Sequence, residues 1–71
     1  MMTPSDLSRF INSMTPERGV FGEHYFRSGN TTLTYSEIVD NLLNKKDEFQ
    51  PEQVVHLYKE LKRKDSQRSE E

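Results

Sequence analysis

Between Leu33 and Leu43 the chain reads Leu-Thr-Tyr-Ser-Glu-Ile-Val-Asp-Asn-Leu-Leu, and no other stretch restricts the fold as tightly. Thr34 and Glu37 stand at capping-box spacing. The threonine oxygen accepts the Glu37 N–H, and the Glu37 carboxylate reaches back to the Thr34 N–H. Leu33 precedes the cap and Ile38 takes the fourth helical position, so the two close as a hydrophobic staple. A helix therefore starts at Tyr35. Tyr35, Ile38, Val39 and Leu42 recur at i, i+3, i+4 and i+7, an apolar stripe that must be buried against something. Asn44 to Glu48 is polar and closes the helix, with Lys45 and Lys46 where the helix dipole favours positive charge. The predicted span is 35–46.

The same signals mark two further helices. Thr3 is an N-cap, Pro4 a first helical residue and Asp6 an acidic group in the first turn, with Met2 and Leu7 at the staple positions. Leu7, Phe10, Ile11 and Met14 form the stripe, and Thr15-Pro16 stops the helix, predicted over 4–14. Near the other end, Pro51 and Glu52 open a helix behind Gln50, a poor N-cap, with Phe49 and Val54 as the staple. Val54, Leu57, Tyr58 and Leu61 give its stripe, widened by Val55, and the predicted span is 51–64. Residues 65–71 hold no apolar side chain and are expected to form a disordered polar tail.

The middle of the chain reads differently. Gly19 and Gly22 bracket Val20-Phe21, and Phe21 is expected to plug into the core. Residues 23–27 and 31–34 read as two short strands around the turn residues Ser28-Gly29-Asn30. Alternation puts Tyr25 and Arg27 on one face, with His24 and Phe26 on the other. Gly19 to Phe21 is a candidate third strand. A two-stranded hairpin needs something to pack on, and the helix that follows is the obvious support. The expected fold is a small α+β domain over residues 1–64, in the order helix, β-hairpin, helix, helix. The alternative is an all-α three-helix domain with an irregular linker over 17–33.

Composition limits how self-sufficient such a domain is. Leu, Ile, Val and Phe make up sixteen of 71 residues, and there is no cysteine to form a disulfide. A core of this size rarely gives more than ~3–5 kcal/mol. Binding a partner, or a second copy in a homo-oligomer, is a physically reasonable source of further stability. A net charge of −2 argues against broad non-specific attraction to nucleic acid or anionic membrane. No apolar run has the ~20 residues a membrane helix needs. The N-terminus lacks the basic and apolar blocks of a signal peptide, and the expected location is the cytoplasm. Asn30-Thr31-Thr32 matches the glycosylation sequon and is read as a turn.

Catalytic signatures are lacking. The sequence has no glycine-rich phosphate loop, nucleophile elbow or paired cysteine ligands. His24 and His56 are the only histidines, and no motif joins them to Glu23 and Glu60 as a metal site. The expectation is a non-catalytic chain without cofactor or metal, working as a regulator, adaptor or inhibitor of a larger protein. Interface centres favour Tyr, Phe and Arg. Phe21, Tyr25, Arg27, Tyr35, Phe49 and Tyr58 are therefore the protein-binding candidates. The alternative is a nucleic-acid-binding regulator of helix-turn-helix type. It would use Gln53, Lys59, Lys62, Arg63 and Lys64 on the last helix, although Glu52 and Glu60 share that surface.

Overall fold

The computed structural model describes residues 2–68. In chain order these form α1 (Pro4–Ser13), β1 (Thr15–Arg18), β2 (His24–Ser28), β3 (Thr31–Leu33), α2 (Tyr35–Lys45), a single 3-10 turn (Lys46–Glu48) and α3 (Pro51–Arg68). The strands make one antiparallel sheet in the order β1-β2-β3. The α+β architecture is thus as expected. The all-helical alternative fails, because much of its supposed linker is sheet.

Local chemistry explains where the helices start. The Thr34 hydroxyl accepts the Glu37 N–H at 3.2 Å while the Glu37 carboxylate accepts the Thr34 N–H at 2.8 Å. The box at α1 repeats this, with Thr3 and Asp6 exchanging bonds of 3.1 and 3.4 Å. At α3, where no good cap precedes Pro51, the Gln50 carbonyl accepts the first N–H groups, from Gln53 and Val54. No helix among the described residues is long and apolar enough to cross a membrane.

The third strand is Thr15–Arg18, not the Gly19–Phe21 segment. Pro16 forces Thr15 out of helical geometry, so α1 passes into β1 through Met14 alone. The Gly19 N–H donates to the Glu23 carbonyl at 2.8 Å. By antiparallel alternation Glu17–Tyr25 and Thr15–Arg27 are also hydrogen-bonded pairs, and Pro16–Phe26 is not. Pro16 therefore sits where the sheet needs no donor.

That register also sorts the side chains. Pro16, Phe26 and Leu33 form one cross-strand row, and Phe26 is fully buried. Thr15, Glu17, Tyr25, Arg27 and Thr32 share the opposite, outer face. The core joins Phe26 to Leu7, Phe10, Ile11 and Met14 of the α1 segment, Ile38 and Leu42 of α2, and Leu57 and Leu61 of α3. Each helix delivers its stripe, except that Val55, expected to widen that of α3, is 51% exposed and lies outside the core. α3 packs chiefly on α1 and β1, whereas α2 lies against α1, β2 and β3.

α3 continues to Arg68, past the expected end at 64 and through the first residues of the supposed tail. Lys64, at the expected end, is itself buried. Ser69 to Glu71, the rest of that expected tail, lie outside the described residues.

Phe26→Ala is expected to cost about 3–5 kcal/mol, the usual range for emptying a buried ring position. A domain this small has about that much in total. Circular dichroism at 25 °C should show a largely unfolded chain. Phe21→Ala should stay within about 0.5 kcal/mol of the parent in urea unfolding, as exposed positions do.

Candidate functional site

The tip of the β1–β2 hairpin stands apart from the rest of the surface. Val20 and Phe21 are 92% and 93% exposed, so Phe21 does not plug the core as expected. The turn explains this. The Gly22 N–H donates to the Gly19 carbonyl at 3.0 Å, which places Val20 and Phe21 at the two central positions. Gly22 has φ +84°, a conformation that glycine adopts at no steric cost. The Phe21 N–H donates to the Glu23 carboxylate at 3.1 Å. That carboxylate also lies against Gly19, where any Cβ would collide with it. The backbone of the tip is thus held by its own hydrogen bonds, while its two apolar side chains point away from the domain.

On the outer face of the sheet, Tyr25 and Arg27 lie side by side as alternation predicted. Both converge on Glu17. The Tyr25 hydroxyl donates to Glu17 Oε1 at 3.2 Å, and Arg27 Nε and Nη2 donate to Oε2 at 3.0 and 2.7 Å. The Arg27 guanidinium, with help from the Tyr25 hydroxyl, holds the Glu17 carboxyl below its ordinary value. Glu17 in turn raises the Tyr25 phenol and the Arg27 guanidinium above theirs. Glu17 was not among the sequence candidates, because its role appears only once β1 is paired with β2.

The other protein-binding candidates lie elsewhere. Tyr35, Phe49 and Tyr58 pack, partly buried, against the core. The six candidates do not form one patch: Tyr25 and Arg27 are neighbours, Phe21 crowns the hairpin, and the remaining three seal the edges of the interior.

The α3 candidates are also dispersed. Gln53 Nε2 donates to Ser8 Oγ at 3.0 Å, and Arg63 pairs with Glu60 at 2.7 Å. Lys59 and Lys62 are exposed. Lys64 is buried, and its ammonium donates to the carbonyls of Ile11, Asn12 and Met14 at 2.9, 3.0 and 2.8 Å. Burial pushes its pKa down, opposed by the nearby Glu60 carboxylate. A helix-turn-helix would set α3 against α2, yet its chief neighbours here are α1 and β1.

Of the histidines, His56 lies 3.4 Å from Asn12 Oδ1, and His24 is exposed on β2. No group of three or more His, Asp or Glu side chains suited to a metal ion occurs among the described residues. A shallow hollow of about 540 Å³ opens between α1 and the β2–β3 turn, beside Ser13. There the Ser13 hydroxyl bonds the Arg9 carbonyl and the Ser28 hydroxyl, both at 2.7 Å, and Asp6 pairs with Arg9. No histidine or other base stands at either serine in these bonds. Comparison with known proteins adds no relative: no family model, curated protein or solved structure matches the chain.

The Glu17 cluster sets a pH dependence whose sign is fixed. A carboxyl with a lowered folded pKa adds stability above its unfolded value, near pH 4.3, and loses it as the pH falls through the folded value. Thermal unfolding of Glu17→Gln should show a smaller drop in Tm than the parent on going from neutral pH to below about pH 4. Equal acid sensitivity in both would remove the cluster from the stability of the sheet.

Proposed function

We propose that this protein is a small non-catalytic interaction module, a regulator, adaptor or inhibitor that docks on a larger protein through the Val20–Phe21 tip. The single observation behind this reading is the near-complete exposure of two adjacent large apolar side chains on a turn braced by Glu23 and Gly22. Apolar anchors that enter a partner's pocket dominate binding energy. A braced turn loses less conformational entropy on docking than a loose loop.

The sheet edges support a tip-first mode over strand addition. On the β1 edge, Pro16 lacks an N–H. The Met14 N–H is bonded to Phe10 and its carbonyl to Lys64. The β3 edge has three residues, and the Thr34 N–H beyond it is taken by Glu37. Short strands, proline and occupied donors all blunt an edge.

Shape favours a different protein over a second copy. The tip is convex. Burying one aromatic side chain covers roughly 150–250 Å², so two tips meeting head-on fall well short of the ~1,200 Å² of a stable interface. A concave partner surrounds the tip and also reaches the Glu17–Tyr25–Arg27 face beside it. The nucleic-acid alternative draws less support, since Gln53, Arg63 and Lys64 are all engaged within the domain.

A photo-crosslinking residue placed at Phe21 identifies the bound protein. Affinity for that protein should then fall by about 2 kcal/mol or more in Phe21→Ser, as at interface hot spots, with Tm unchanged. Lys59→Glu with Lys62→Glu should leave it nearly unaffected. Full affinity in Phe21→Ser would contradict the reading.

A further inference from the structure

Val20 and Phe21 do not meet a partner alone. The exposed Glu23 lies beside them, and one oxygen of its carboxylate accepts the Phe21 N–H at 3.1 Å. The side chain is folded across the turn, where the carboxylate fills the space that a Cβ on Gly19 would need. Its position is therefore set before any partner arrives. By alternation Glu23 belongs with Tyr25 and Arg27 on the outer face of the sheet. The other charges of that face cancel, because Arg27 pairs with Glu17 at 2.7 Å. Arg18 and His24 stand opposite each other across the strands and fall on the inward row. Among the described residues Glu23 itself has no ion-pair partner.

We propose, on the reading that the tip docks, that the partner's pocket is apolar and carries a basic side chain, arginine or lysine, at its lip to pair with Glu23. The carboxylate is bonded to the backbone of Phe21 itself, so a pocket that takes the Phe21 ring brings its rim over Glu23. A carboxylate that loses water without gaining a cation opposes binding. Surface ion pairs usually gain little, because two long side chains have to be immobilised. At Glu23 one of the two is already held, and a facing cation meets a preorganised acceptor. A second copy is the wrong occupant, since two tips meeting head-on would bring two like charges together.

The test uses the full chain and the protein captured by a photo-crosslinking residue at Phe21. Glu23→Gln keeps an oxygen for the Phe21 N–H and removes the charge. Its affinity should fall about tenfold or more, the scale of a lost hydrogen bond to a charged group. The Phe21 amide should exchange with solvent as slowly as in the parent. Raising the salt from about 0.01 to about 0.1 M, which shortens the Debye length from about 30 to about 10 Å, should weaken the parent more than the variant. Loss of affinity in Phe21→Ser with parent-like affinity in Glu23→Gln overturns the basic lip and leaves the docking reading standing. No capture at Phe21, capture of a second copy, or full affinity in Phe21→Ser overturns both. If Glu23→Gln frees the Phe21 amide, the salt dependence of the unmutated protein decides, and an affinity that does not fall with salt overturns the lip.

Discussion

One ring fastens the sheet to the helices. Three strands of three to five residues do not persist alone in water. Phe26 is the strand residue that sits wholly inside the core, with Pro16 and Leu33 beside it across the sheet. Around it converge the stripes of all three helices. Leu33 packs partly against the same cluster and is followed at once by the Thr34 cap, so sheet and α2 are joined by a junction with no slack. The outer face is then turned away from the helices, and beyond Arg18 the hairpin tip exposes Val20 and Phe21.

That arrangement separates stability from display. The apolar interior lies among the helices and the inward row of the sheet. The hairpin tip takes no part in it, and its geometry is set by glycines and one carboxylate. Substitutions at Val20 and Phe21 therefore act on what the molecule touches, with little effect on whether it folds. Rigid scaffolds commonly carry their recognition residues on such connections.

Much of the fold was legible in the sequence because its signals are local. The capping box at Thr34, the helix starts and the stripes depend on residues within a few positions of one another, although the box that Thr3 makes with Asp6 and the exposure of Val55 show only in the structure. The face shared by Tyr25 and Arg27 follows from alternation alone. β1 was not legible: Thr-Pro-Glu-Arg has no apolar alternation, and it is a strand only because β2 lies beside it. The misplaced Phe21 follows from the same gap, since the Gly19–Gly22 turn is visible as the end of a hairpin only when both arms are known. Tyr35, Phe49 and Tyr58 look like free aromatics in sequence, yet they rim the core.

The burial of Lys64 is hidden in the sequence for a different reason. A lysine in a basic cluster is usually a solvated one, so its charge outweighed its position. Two clues pointed the other way: its place in register with Leu57 and Leu61, and an α1 with no cation of its own in the last turn. Burying long charged side chains by their stems is common at such edges. Here the head group is buried as well, and the carbonyls of a distant helix end satisfy it.

A chain that folds without a partner keeps Phe26 inside and Phe21 outside. The most direct measurement is NMR of the isolated protein with a soluble paramagnetic agent, comparing relaxation of the two rings. The Phe21 ring should relax strongly at every protein concentration, and the Phe26 ring should be protected. Equal protection of both rings would contradict it, and so would a Phe21 ring shielded even at high dilution.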